Sequence, residues 1–142
     1  MARISVGRVE RPLFETQLPI QVGDVNYGGH LANDAVLRLC HEARMRWLAA
    51  LGWRETDAGG AGLIMADAAV QYLAQGYHGD VLRIGMGAAE VGGSGFALLY
   101  ELTRVSDGLT LARVQTGMVC FDYARGRVCR MPEALKRRLT GV

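Results

Sequence analysis

The chain has little of what would staple, stiffen or anchor it. Cysteine occurs three times, as Cys40, Cys120 and Cys129, among 142 residues. An odd count without C-x-x-C spacing argues against a disulfide framework, and the expectation is reduced thiols in a cytoplasmic protein. Proline occurs three times against 19 glycines, with no period or low-complexity tract, so the composition is neither collagen-like nor disordered. No apolar run approaches the roughly 18 residues of a membrane span, and Met1 to Glu10 contains no apolar stretch of signal-peptide length. Charge of one sign is also scarce overall, the net charge being +2. Only the last 18 residues are locally basic, where Arg125, Arg127, Arg130, Lys136, Arg137 and Arg138 face Glu133. That tail carries no aromatic residue to stack on a base, so nucleic acid is not the expected partner; a solvated helix end or a contact with phosphates accounts for it.

What the chain does have is apolar residues, 50% of the total, enough for one core without staples, and residues 1–142 read as a single domain with its core at about 14–135. Residues 14–22 alternate around Leu18, Ile20 and Val22 and predict a strand ending at Gly23. After Tyr27-Gly28-Gly29-His30, Asn33 is the expected cap of a helix in which Val36, Leu37, Cys40, Ala43, Trp47, Leu48 and Leu51 fall on one arc, stopped by Gly52. Four strands are then predicted over 63–73, 81–91, 96–105 and 109–121. The turns between them, at Gly79-Asp80, Gly92 to Gly95 and Ser106 to Gly108, can supply positive φ, so consecutive hairpins are expected. A short helix over 132–139 closes the chain. The fold class is α+β: an antiparallel sheet of about five strands wrapped around one long central helix.

Chemistry is expected between Asp24 and Asn33, where a strand end, paired glycines and a helix N-terminus meet. The N–H groups of Gly28 and Gly29, with the helix dipole behind them, are candidates to stabilise an oxyanion; an ordinary tight turn is the competing reading. Other motifs fall away. Gly92 to Phe96 lacks the last glycine of G-x-S-x-G, and His30, His41 and His78 have no zinc-like spacing with cysteine, so no metal is expected. Trp47 and Trp53 read as core.

Asp24, Gly29, His30 and Asn33, followed by Glu42-Ala43-Arg44, match a D-x-D-x-x-G-H-x-N-N-like loop running into an E-x-A-R helix, and Tyr77-His78-Gly79-Asp80 matches a Y-x-G-D turn. In these residues the sequence resembles the hotdog-fold acyl-CoA thioesterases of the 4-hydroxybenzoyl-CoA thioesterase type. The resemblance implies the hotdog fold, hydrolysis of an acyl-CoA to a free acid and CoA, no cofactor beyond the CoA of the substrate, and a homodimer or a homotetramer of such dimers.

The sequence departs from that pattern at Asn26, which stands where many members carry a catalytic aspartate. An amide cannot ionise, so Asn26 is a candidate to hold the thioester carbonyl or the attacking water, leaving Asp24, His30 and Glu42 as the groups able to take a proton. Tyr27, Gly28, Gly29 and Asp67, the last supplied by a partner subunit, are the expected substrate-binding residues. Each has a structural reading as well: Asp24 as a turn acceptor, His30 packed beside the helix, and Glu42 in an i,i+4 ladder with Asp34, Arg38 and Arg46. Asp67, in the apolar run Met65 to Ala69, calls for a partner, an interface or a water-facing sheet edge. The alternatives are a hotdog protein that binds acyl thioesters without cleaving them and a hotdog hydratase or dehydratase.

Overall fold

The computed structural model describes residues 3–141. The long helix, α1, spans Asn33–Ala50 and buries Val36, Cys40, Ala43, Trp47 and Leu48 along the predicted arc. Gly52 ends it at φ 77°, with the Gly52 and Trp53 N–H groups donating to the Ala49 and Leu48 carbonyls at 2.9 and 2.8 Å. Its start differs from expectation. Ala32 occupies the cap position and Asn33 is already helical, because the Leu31 and Ala32 N–H groups are held by the Gly76 and Asp24 carbonyls, both at 2.8 Å. Among the described residues, no side chain caps this end.

The strands are β1 (Phe14–Pro19), β2 (Gly62–Tyr72), β3 (Val81–Ala89), β4 (Gly95–Arg104), β5 (Thr110–Asp122) and β6 (Arg127–Val128). They form one antiparallel sheet in the order β1-β3-β4-β5-β2, with β6 extending β5. This is the expected hotdog architecture, a sheet with one long helix on its face. Four details differ. β2 pairs with β5 rather than β3, because residues 73–80 form a crossover too long to impose a hairpin; only β3-β4-β5 is a meander. Between β3 and β4 the positive φ falls on Glu90, at 50°, and not on the glycines expected to supply it, whereas Gly79 and Gly108 do adopt it. β1 stops at Pro19, and Val22–Asp24 forms a 3-10 turn with Val22 exposed. The sixth strand, formed by a turn at Gly126, was not anticipated.

Leu82, Ile84, Met86, Leu98, Tyr100 and Leu102 point from β3 and β4 into the core shared with α1. Each buried side chain of this size stabilises the fold by roughly 1.5–3 kcal/mol. One polar network crosses this layer. Arg44 donates to Glu55 Oε2 at 3.1 Å and to the Tyr100 hydroxyl at 2.9 Å, Tyr100 meets Thr116 Oγ1 at 2.9 Å, and His41 Nε2 meets Glu55 Oε1 at 2.6 Å. It ties α1 to the middle of the sheet. The closing helix, α2 (Glu133–Thr140), begins after Pro132 and ends at Gly141 with φ 75°.

β2 contains a bulge between Met65 and Asp67. Regular alternation would turn Leu63, Met65 and Asp67 to the same side. The extra residue moves Asp67 to the outer face, opposite Gly117, and moves Ala68, Val70 and Tyr72 to the inner face.

Candidate active site

The loop between the 3-10 turn and α1 is organised by Asn26. Its N–H donates to the His30 carbonyl at 2.8 Å and its carbonyl accepts the Gly29 N–H at 3.0 Å. Its side-chain Oδ1 accepts the Gly28 and His30 N–H groups at 3.0 and 3.1 Å. Gly29 sits at φ 83°, the left-handed position this tight turn requires. Two donors on one atom settle the amide's orientation: the atom facing them must be oxygen, so Nδ2 turns outward with its two N–H donors.

His30 is half-buried and meets Tyr77 edge-on, with ring centroids 5.4 Å apart. Among the described residues its ring nitrogens have no hydrogen-bond partner in the protein. Together with Asn26, Leu31, Asn33, Tyr72, Leu73, Ala74 and Gln75 it lines a cleft of about 320 Å³. Clefts of about 460 Å³ beside Trp53 and about 570 Å³ beside Tyr123 are larger. Neither brings an amide donor and an unengaged imidazole to a helix N-terminus, and for that reason the smaller cleft is the candidate site. Its wall at Asn33 is the start of α1, where Ala35 N–H donates to the Ala32 carbonyl at 3.1 Å, the Asn33 and Asp34 N–H groups have no partner among the described residues, and the dipole is positive.

Tyr72 was not singled out from the sequence. The bulge brings it to the inner face of β2, where its hydroxyl donates to the Asn33 carbonyl at 2.9 Å. Burial, and then the Asp34 charge, raise its phenol above the ordinary value. Its place at the end of a strand with β propensity was the only sequence signal available.

The other expected site residues are dispersed. Asp24 is buried beneath the loop, where its carboxylate accepts the Gln21 N–H at 2.8 Å and meets Arg38 at 3.5 Å. It braces the loop instead of lining the cleft. The Gly28 and Gly29 N–H groups are both engaged by Asn26, so the glycines shape the turn and their donors already have partners. Tyr27 is fully exposed at the loop tip. Glu42 lies nine residues beyond Asn33, roughly 14 Å along the helix, and pairs with Arg46 at 2.9 Å. That is one rung of the anticipated ladder; Arg38 turns to Asp24 instead of continuing it. Asp67 is on the outer face of β2, away from the cleft. Among the described residues, no three His, Cys, Asp or Glu side chains converge as metal ligands, and no helix is long and apolar enough to cross a membrane.

A family model described as the thioesterase-like superfamily matches residues 20–139. A 1,4-dihydroxy-2-naphthoyl-CoA hydrolase of Synechococcus elongatus is 28% identical over 127 residues, covering 87% of this chain and 92% of the relative. The crystal structure of a 1,4-dihydroxy-2-naphthoyl-CoA thioesterase from Synechocystis superposes with a TM-score of 0.81 at 21% identity, covering 91% of this chain and 96% of that one. A Staphylococcus aureus protein solved in complex with CoA also gives a TM-score of 0.81, at 14% identity over 96% of this chain and 87% of that one.

Proposed function

Since the chain belongs to the thioesterase-like superfamily, we propose that it hydrolyses acyl-CoA thioesters to a free acid and CoA in the cleft at the N-terminus of α1. The observation that carries the reading is the pairing of Asn26 and His30 in that cleft: a fixed amide donor beside an imidazole whose two nitrogens are unengaged among the described residues.

The thioester carbonyl accepts a hydrogen bond from Asn26 Nδ2, with the positive end of α1 behind it. His30 takes a proton from water as its oxygen attacks the carbonyl carbon. The tetrahedral oxyanion stays against the Asn26 amide. The C–S bond then breaks, the His30 proton passes to the departing thiolate, and acid and CoA leave. Asp24 is a positioning residue in this scheme, since it holds the loop base through Gln21 and Arg38. Leu31, Leu73, Ala74 and the ring of Tyr72 supply the apolar wall that an acyl group needs. CoA enters only as part of the substrate, and no cofactor is consumed.

The functional unit is a homodimer. β2 is an edge strand of 11 residues; among the described residues only Leu63 has its outer backbone groups engaged, by the Glu55 carbonyl and the Tyr123 hydroxyl, and Met65 and Tyr72 are exposed along the rest. A second copy pairing there would cover that edge and wall the cleft. Buried, reduced Cys40 and Cys120 suit a cytoplasmic setting.

The test is release of free thiol from short, long and aromatic acyl-CoAs by the wild type beside Asn26→Ala and His30→Ala. Turnover lost in both variants with the fold intact supports the scheme; equal turnover in His30→Ala removes it as the base. A second reading, acyl-thioester binding without cleavage, is favoured by the amide at Asn26 in place of a carboxylate. Micromolar binding of an acyl-CoA without thiol release by the wild type would establish it.

A further inference from the structure

Residues 3–13 form an extended arm that crosses the outer face of the sheet from one edge to the other. Leu13 N–H donates to the Met86 carbonyl at 2.7 Å, beside β1. Val9 and the Arg11 carbonyl lie over Gly87 of β3, where a Cβ would meet Val9 Cγ1 at 3.0 Å. Val9 N–H donates to Glu101 Oε1 of β4 at 2.7 Å, and Val6 N–H to Gln71 Oε1 of β2 at 3.2 Å. Val6 is 5% exposed; Ile4, two residues further, is 61% exposed.

The direction of travel matters more than the anchors. An extended chain advances about 3.3 Å per residue and neighbouring strands are about 4.8 Å apart. From Val6, already at β2, the chain therefore passes the last strand of its own sheet by Ile4 or Arg3. If β2 pairs with β2 of a second copy around an axis near Ala68, the middle of its exposed stretch, Asp67 of that copy faces Ala69 on the outer surface, next to Gln71. Among the described residues neither Arg3 nor Asp67 forms an ion pair. Two opposite charges without partners thus flank one seam, one at the end of an arm pointing across it.

We propose that the N-terminal arm crosses the subunit seam, with Ile4 lying on the outer face of the second copy's β2 and Arg3 pairing with its Asp67. This rests on the dimer proposed above. The arm then acts as a clasp, made twice by symmetry, and Asp67 serves assembly instead of substrate binding.

Sedimentation equilibrium of the full chain tests it, using wild type, Arg3→Asp, Asp67→Arg and the double exchange. Each single reversal should weaken the dimer about tenfold, a repulsion made twice, and the double exchange should restore most of the loss. Deletion of residues 2–5, which leaves the Val6 anchor, should weaken it at least as much with thermal unfolding of the monomer unchanged. A wild-type dimer whose dissociation constant ignores both the Arg3 reversal and the deletion overturns the clasp and leaves the dimer standing. A wild type that sediments as a monomer at every concentration overturns both.

Discussion

Asn26→Asp separates two roles that one position can play. In the wild type, Oδ1 accepts the Gly28 and His30 N–H groups at 3.0 and 3.1 Å, and the outer atom is a nitrogen that donates. Aspartate keeps both loop bonds and strengthens them through its charge, which also lies near the positive end of α1. The loop should therefore survive, with a melting temperature equal to or slightly above the wild type; the dipole interaction alone contributes about 0.3–1 kcal/mol. The outer atom, however, becomes a negative oxygen. Losing one oxyanion donor costs roughly 2.7–4 kcal/mol of transition-state stabilisation, about 10²–10³ in kcat. Repulsion between carboxylate and oxyanion adds to the loss. Thiol release under saturating acyl-CoA, beside a thermal melt of the same preparation, measures both quantities. A variant at least as stable as wild type and more than about 100-fold slower is the expected result. Activity equal to or above wild type would refute the donor role and show that the site works with a carboxylate at this position.

Other perturbations reach the framework. Tyr100→Phe deletes the buried hydroxyl between Arg44 and Thr116, leaving both without that partner; urea unfolding should show a loss of about 1–3 kcal/mol, and a change below about 0.5 kcal/mol would mean the network relaxes around the gap. Gly62→Ala drives a Cβ into the Tyr123 ring and the Phe121 carbonyl; overpacking of this kind costs about 1–3 kcal/mol, recovered in part by adding Tyr123→Ala, which a melt of both variants would show. Cys120 is pushed up from 9.0 to about 11 by burial and then by Cys129 nearby. The folded state therefore holds that proton more tightly than the unfolded chain, and the contribution is whole below pH 9.0 and is lost as pH rises to about 11. Stability should fall across that window and fall less steeply in Cys120→Ala; identical slopes would count against it. A thiol reagent at neutral pH should modify half-buried Cys129 while sparing buried Cys40 and Cys120 until unfolding.

Much of the fold was legible in local pattern. The apolar arc of α1, the stop at Gly52 and the positions of four long strands followed from periodicity and glycine placement, because those signals are carried by residues within one or two turns of each other. Asn26 was legible as a departure, since an amide where a carboxylate is expected changes the available chemistry wherever the loop lies. The partners of these residues were not legible. Whether β2 pairs with β3 or β5 depends on which edge a long crossover reaches, and no local residue encodes that. The same limit hid the bulge that sends Asp67 outward and Tyr72 inward, the burial of Asp24 against Gln21 and Arg38, and the turn of Arg46 toward Glu42, Thr16 and Gln17. Sequence alone determined which groups could ionise, donate or pack. The tertiary structure decided which of them meet, because a side chain's direction and its competitors for each hydrogen bond are set by residues far away along the chain.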